Sequence, residues 1–273
     1  PQRQRSSKTL LIDPKANKVR GVAKLTKKDA RSSTGLFLLE GPQGLKEALD
    51  RPNLIVELFA TEDALARYED LFDRVESARI DVQLVSEPVL KALTDTTTPQ
   101  GIVAVCRQLH VTLDDIIAAK PQLVALLANI RDPGNAGTVL RAADASGADA
   151  VIFSANSVDV YNPKVVRSTT GSLFHLPFAI DVEIDEAIAK LKAAGLQVFA
   201  ANGGGVEIPS LSKDDLAAPT TWVFGNEAWG FEQTTLDLVD REVAVPLYGA
   251  AESLNLATAA SICLYASAFA QNT

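Results

Sequence analysis

The sequence predicts two α/β domains: a smaller one at the N-terminus, then a mainly parallel sheet covered by helices on both faces. Three observations predict this class. Strand-like apolar runs alternate with helical segments along most of the 273 residues, the order that builds α/β folds. In the second half these runs are short and continuous rather than alternating, as in strands buried on both sides. Three loops mixing glycine with polar residues follow such runs there, and ligands of open α/β sheets collect at the carboxyl ends of strands.

In the first domain, 35–39 reads as a buried strand, 40–44 (Glu-Gly-Pro-Gln-Gly) as a turn, and Leu45 to Leu49 as the start of a helix. Residues 54–59 are strand-like, and Thr61 is placed to cap the helix that follows. Another strand is read at 82–85, then a helix capped by Ser86 and running through Leu93, then a strand at 101–106. Residues 107–121 show no clear period and read as a connector. Strands of the second domain are read at 123–127, 150–153, 196–200, 221–224 and 242–245. The limits so read are 1–107, a linker over 108–121, and 122–273.

Composition narrows the class further. Hydrophobic residues make up 47% and charged ones 22%, the balance of a globular protein. No apolar run approaches the ~20 residues that span a bilayer, and no apolar core follows the basic start as in a secretory signal. Cys106 and Cys263 lie far apart in apolar runs and lack metal-ligand spacing; buried thiols in a reducing cytoplasm are expected. The net charge of −8 is divided unevenly, with +8 in residues 1–31 and −16 in the rest. A basic arm on an acidic body is a footprint of phosphate-backbone binding, and a solvated tail is the other reading.

The first loop runs from Asn129 to Arg141 (Asn-Ile-Arg-Asp-Pro-Gly-Asn-Ala-Gly-Thr-Val-Leu-Arg). Proline and two glycines force a tight turn into a helix from about Ala136. Its N-terminus offers free N–H groups to an anion. Arg141 then lies one to two turns in, a bidentate donor for phosphate; Asn135 as helix cap and Arg141 in a surface ion pair is the blander alternative. The second loop, Phe224 to Gly230 (Phe-Gly-Asn-Glu-Ala-Trp-Gly), puts the Glu227 carboxylate after a buried strand, to pin backbone N–H groups or to handle a substrate. Trp229 has the π-face to stack on a base, or packs in the loop. The third loop, from Val245 to Asn255, ends in Glu-Ser-Leu-Asn before a helix rich in small residues, with Ser253 or Asn255 as its cap. His175 sits in an apolar run and is expected to pack; with His110 it makes neither a metal cluster nor a nucleophile triad. A nicotinamide fold is disfavoured, because Gly-x-Gly-x-x-Gly is absent and the glycine loops come late.

In order, the three loops resemble the three motifs of the SpoU (TrmH-like) RNA methyltransferases of the SPOUT superfamily: Asn…Gly…Arg, Phe-Gly-Asn-Glu, and Pro…Gly…Glu-Ser-Leu-Asn. Leu247 stands where methionine is common in that family. More softly, Phe37-Leu-Leu-Glu-Gly and Thr98-Pro-Gln-Gly resemble the RNA substrate-binding domain that precedes the catalytic domain in many members. The resemblance implies S-adenosylmethionine-dependent 2′-O-methylation of RNA, ribosomal RNA before transfer RNA. It also implies a carboxyl-terminal trefoil knot, an exception to the rule against threaded chains, and a homodimer in the cytoplasm, with no metal and no membrane. Carried over by position, Ala201, Asn202, Gly203, Phe224, Gly225, Asn226, Val245, Pro246, Leu247, Ser253, Leu254 and Asn255 would hold the cofactor. Asn135, Arg141, Glu227, Ser253 and Asn255 would form the reacting site, with Arg141 or Glu227 taking the proton. A non-catalytic RNA-binding module on the same fold is the alternative, against which the joint presence of these five residues speaks.

Overall fold

Ten strands form two sheets, one in each of two units, in a computed structural model that describes residues 9–273. The first unit comprises the chain up to Leu109 together with Tyr161–Gly171. Its strands are β1 (Leu36–Glu40), β2 (Ile55–Ala60), β3 (Val82–Leu84) and β4 (Ile102–Arg107), ordered β1-β4-β2-β3. β4 is antiparallel to both its neighbours, and β3 runs parallel to β2. Thr61 caps its helix as expected, accepting from the Ala64 N–H at 3.2 Å. Ser86 occupies the cap position of the helix Glu87–Leu93, but its buried hydroxyl makes no capping bond.

The basic N-terminal segment is neither a free arm nor a tail over its described part. Helices Asn17–Ala23 and Lys28–Thr34 flank a 3₁₀ turn. Val19, Val22 and Leu25 are buried among Leu38, Phe59, Val89, Leu90 and Val103. Charge obscured this apolar stripe at three-residue spacing, which is helical. Arg31, counted among the basic charges, is buried and donates to the Leu25 carbonyl at 2.9 Å. Arg3, Arg5 and Lys8 lie outside the described residues.

The second unit comprises His110–Val160 and Ser172–Thr273. Its strands are β5 (Leu123–Leu127), β6 (Ala150–Ser154), β7 (Phe178–Val182), β8 (Gln197–Glu207), β9 (Thr220–Phe224) and β10 (Arg241–Ala244). Their order is β10-β8-β9-β5-β6-β7, and every pair is parallel. Val124, Leu126, Ile152, Val198 and Val223 face the helices Leu113–Ala118 and Ile184–Ala193 on one side of the sheet. On the other, the fully buried Trp222 meets Phe199 edge-on and donates from Nε1 to Ser267 Oγ at 2.9 Å, on the helix Leu256–Gln271.

Three features depart from the sequence reading. The edge strand β7 has no place in it: Pro177 precedes the strand and Asp181 interrupts its apolar run at φ +54°. The supposed linker contains the helix Leu113–Ala118, closed by a capping box between Thr112 and Asp115, a motif visible in sequence but followed by too few residues to show a helical period. Tyr161–Gly171 belongs to the first unit: Arg167 bonds Glu40 at 2.8 Å, and the ring of Tyr161 lies 4.9 Å from that of Phe37.

Strand order also locates a crevice. The chain steps from β5 outward to β6 and β7, then returns to lay β9 on the opposite side of β5. Such a reversal opens a ligand site at the carboxyl ends of the strands.

Candidate active site

Four strand ends meet there. After β5, Asp132 caps the helix Pro133–Ala145 by accepting from the Asn135 N–H at 2.7 Å. The cap is thus Asp132 and not Asn135, and the helix begins at Pro133. Arg141 therefore lies more than two turns from the helix N-terminus, beyond the first-turn reach of the helix dipole.

After β9, the loop is tied to itself and to the first loop. Asn226 exchanges backbone hydrogen bonds with Gly230 at 2.8 and 2.9 Å. Its side-chain oxygen accepts from the Ala228 and Trp229 N–H groups, and its Nδ2 donates to the Asn129 carbonyl at 2.7 Å. Glu227 accepts from the Arg131 and Asp132 N–H groups at 3.2 and 3.1 Å. The carboxylate thus pins one motif to another, leaving one N–H on each of its oxygens.

After β10, Asn255 caps the helix Leu256–Gln271, its Oδ1 accepting from Ala257 and Thr258. Those bonds fix the amide so that Nδ2 faces Asn135 Oδ1, at 3.1 Å. β8 contributes an excursion: its pairing with β10 jumps from Ala200 to Val206, leaving 201–205 out of register. Asn202 within it bonds the Glu242 carboxylate at 2.6 Å.

The loops enclose a cleft of about 460 Å³, within the usual range for small-molecule sites. Of the residues carried over for a cofactor, all but Pro246 line it; of the reacting set, Asn135, Glu227, Ser253 and Asn255 line it and Arg141 does not. Arg141 is exposed and has no hydrogen bond or ion pair among the described residues. Gly230, Phe231, Val243, Glu252, Leu256 and Ala259 complete the lining. Glu252 and Gly230 stood inside the sequence motifs, but Phe231, Val243 and Ala259 carried no signal beyond being apolar or small. The wall suits an extended cofactor with apolar and polar parts: strand-end backbone at Ala201–Gly203 and Phe224–Asn226, apolar Val245, Leu247 and Leu254, and hydroxyl and amide groups at Ser253 and Asn255.

Other candidate groups fall outside the cleft. Burial pushes the Cys106 and Cys263 thiols up to about 12, so neither supplies a thiolate nucleophile. His175 is exposed rather than packed, and its Nδ1 lies 2.7 Å from Asp144 Oδ2. Ser172 donates to that same oxygen at 2.7 Å. A relay needs the imidazole between hydroxyl and carboxylate; here the carboxylate stands between the other two. Among the described residues, no group of His, Cys, Asp or Glu is placed to hold a metal ion.

The SpoU rRNA Methylase family matches residues 122–265, and the domain described as "RNA 2'-O ribose methyltransferase substrate binding" matches 38–112. The chain is 36% identical to the 23S rRNA (guanosine(2553)-2'-O)-methyltransferase RlmP of Bacillus subtilis, covering 92% of this chain and 96% of that protein. It is 30% identical to a 23S rRNA (uridine(2479)-2'-O)-methyltransferase of Streptomyces viridochromogenes, covering 89% and 86%. The crystal structure of an AdoMet-bound rRNA methyltransferase from Sinorhizobium meliloti superposes with a TM-score of 0.83 at 29% identity, covering 95% and 97% of the two chains.

Proposed function

Because the chain belongs to the SpoU rRNA methylase family, we propose that it methylates a ribose 2′-hydroxyl of 23S ribosomal RNA, using S-adenosylmethionine. One observation carries this reading: residues 120 positions apart, Asn135 and Asn255, are joined in a cleft whose walls are the three motif loops. A decayed, purely RNA-binding relative would have no need to keep that arrangement.

S-adenosylmethionine supplies a methyl group on a sulfonium. Backbone at Ala201–Gly203, Phe224–Asn226, Val245, Leu247 and Ser253–Asn255 would hold it at the strand ends. The Asn135–Asn255 pair, with Ser253, would orient the ribose hydroxyl toward the methyl donor, and such positioning contributes ~7–11 kcal/mol. Glu227 braces the first loop against the second; this is its main role, with proton removal secondary. Arg141 clamps a phosphate beside the reacting nucleotide, since a guanidinium stays protonated.

The proposal extends to two further features. The carboxyl-terminal path is a trefoil knot, in keeping with a final helix that returns over the central strands from an edge strand. The enzyme is a homodimer working in the cytoplasm. Support for the dimer is the exposure of Ile262 and Phe269, at 40% and 66%, on the last helix, and of Arg141 on the helix packed beside it. A second copy covers that face and brings Arg141 to the neighbouring cleft.

The reading is tested by calorimetry and by mapping. S-adenosylhomocysteine should bind and NAD should not, and 23S rRNA from cells with the protein should carry a 2′-O-methyl that is missing without it. NAD binding in place of the S-adenosyl ligand would overturn the assignment.

The basic face of the first unit is assigned to RNA phosphates. Lys15, Arg20, Lys24, Lys27 and Lys28 are exposed, while Lys18 lies 3.6 Å from Glu57. Deleting the segment would remove Val19, Val22 and Leu25 from the core, so charge substitution is the cleaner test. Changing Lys24, Lys27 and Lys28 to Gln should weaken RNA binding about tenfold and flatten the salt dependence by roughly 0.7–0.9 in log–log slope per lost contact. An unchanged slope would remove this face from the RNA path.

A further inference from the structure

Across the second motif loop from the cofactor cleft lies an open recess of about 740 Å³, lined by Asn129, Arg131, Asn156, Glu227 and Trp229 among others. The two cavities share Asn226 and Glu227. Trp229 gives the recess its character. It is 51% exposed, whereas Trp222, the other tryptophan, is fully buried. Its ring makes no aromatic contact, and its Nε1 no hydrogen bond, among the described residues. An indole left in water forgoes the burial that usually stabilises a large aromatic. Yet the backbone that carries it is tied down, by Asn226 Oδ1 on the Trp229 N–H and by the paired backbones of Asn226 and Gly230. An exposed aromatic on a fixed backbone is a stacking platform that needs no loop ordering when a ligand arrives.

The surrounding groups select the ligand. The Arg131 guanidinium and the Asn156 amide have no partners among the described residues. Asn129 and Asn156 hold left-handed conformations, at φ +57° and +63°, which few side chains tolerate. Carboxylates of Asp132, Glu227 and Glu232 line the recess, and Glu183 and Asp185 line the hollow adjoining it. That charge repels phosphate, but carboxylates accept well from base amino groups. An aromatic face ringed by donors and acceptors, at the edge of an acidic hollow, fits a base and not a backbone.

We propose that this recess takes a nucleobase of the substrate RNA, stacked on Trp229 and bonded at its edge by Arg131 and Asn156, beside the methylated ribose. The proposal rests on the RNA methyltransferase reading and deepens it, by assigning where the enzyme senses a base.

With Trp222 buried, fluorescence quenching by RNA reports on Trp229. The full chain is titrated with adenylate and uridylate octamers and with an abasic ribose-phosphate octamer. The base-bearing octamers should quench and the abasic one should not. Trp229→Ala should bind RNA about tenfold more weakly, the loss of one base–aromatic stack. Trp229→Phe should stay within about threefold of wild type, and S-adenosylhomocysteine affinity should hold in both. Equal quenching by the abasic octamer, no quenching by either base-bearing octamer, or Trp229→Ala binding at wild-type strength would each overturn the proposal. In the methylated rRNA fragment, an abasic site at the target nucleotide or at its neighbour then identifies which base is held. The octamer titration needs no turnover, so it tests the recess even if the rRNA assignment fails.

Discussion

Arg141→Ala is expected to lower methyl transfer by about 100-fold or more, the size of effect that misplacing a reacting group produces. S-adenosylhomocysteine affinity should stay at the wild-type value, because Arg141 does not line the cleft of its own chain. Folding should be untouched as well, since the side chain is exposed and unpaired among the described residues. Arg141→Lys should rescue little: it keeps the charge but not the planar fork that meets a phosphate with two parallel bonds. With Arg141 proposed to act on a neighbouring cleft, light scattering should give the mass of two chains. A mixture of Arg141→Ala with a cofactor-binding variant should then recover part of the activity. Full activity of Arg141→Ala on the mapped RNA, or a monomer at working concentration, would remove Arg141 from the reacting site.

Gly225→Ala is expected to disable the cofactor cleft and to lower stability together. A Cβ at Gly225 would lie 2.6 Å from the Gly230 carbonyl oxygen and 2.8 Å from its carbon. These are backbone atoms, fixed by the two hydrogen bonds between Asn226 and Gly230, and have no rotamer to give. Overpacking of this kind typically costs about 1–3 kcal/mol, and relief would displace the segment carrying Asn226 and Glu227. Melting temperature should fall by several degrees and S-adenosylhomocysteine affinity by at least about tenfold. Gly204→Ala is the control: a Cβ there meets nothing within 4 Å, so both readouts should stay near wild type. Wild-type melting and affinity in Gly225→Ala would mean that the loop is not the rigid wall described.

The sequence by itself determined the α/β class, nine of the ten strands, and the loops that line the cleft. These are local properties: a continuous apolar run signals a doubly covered strand, and glycine, proline and asparagine signal the turn after it. The same locality explains what was missed. β7 is an edge strand broken by Asp181 and stabilised by pairing with β6, which its own pattern does not announce. The basic segment reads as an arm by charge, and only packing against Leu38, Phe59 and Val103 makes its apolar stripe core. Tertiary structure alone decided the contacts within the site. Glu227 reaches backbone 95 and 96 positions away, and Asn255 meets Asn135 across 120. Such contacts exist because parallel strands bring distant loops to one end of the sheet, which no sequence window contains. Helix geometry likewise turns Arg141 away from its own cleft: at about 100° per residue it lies roughly 240° around the helix from the cleft-lining Asn135, on the exposed face.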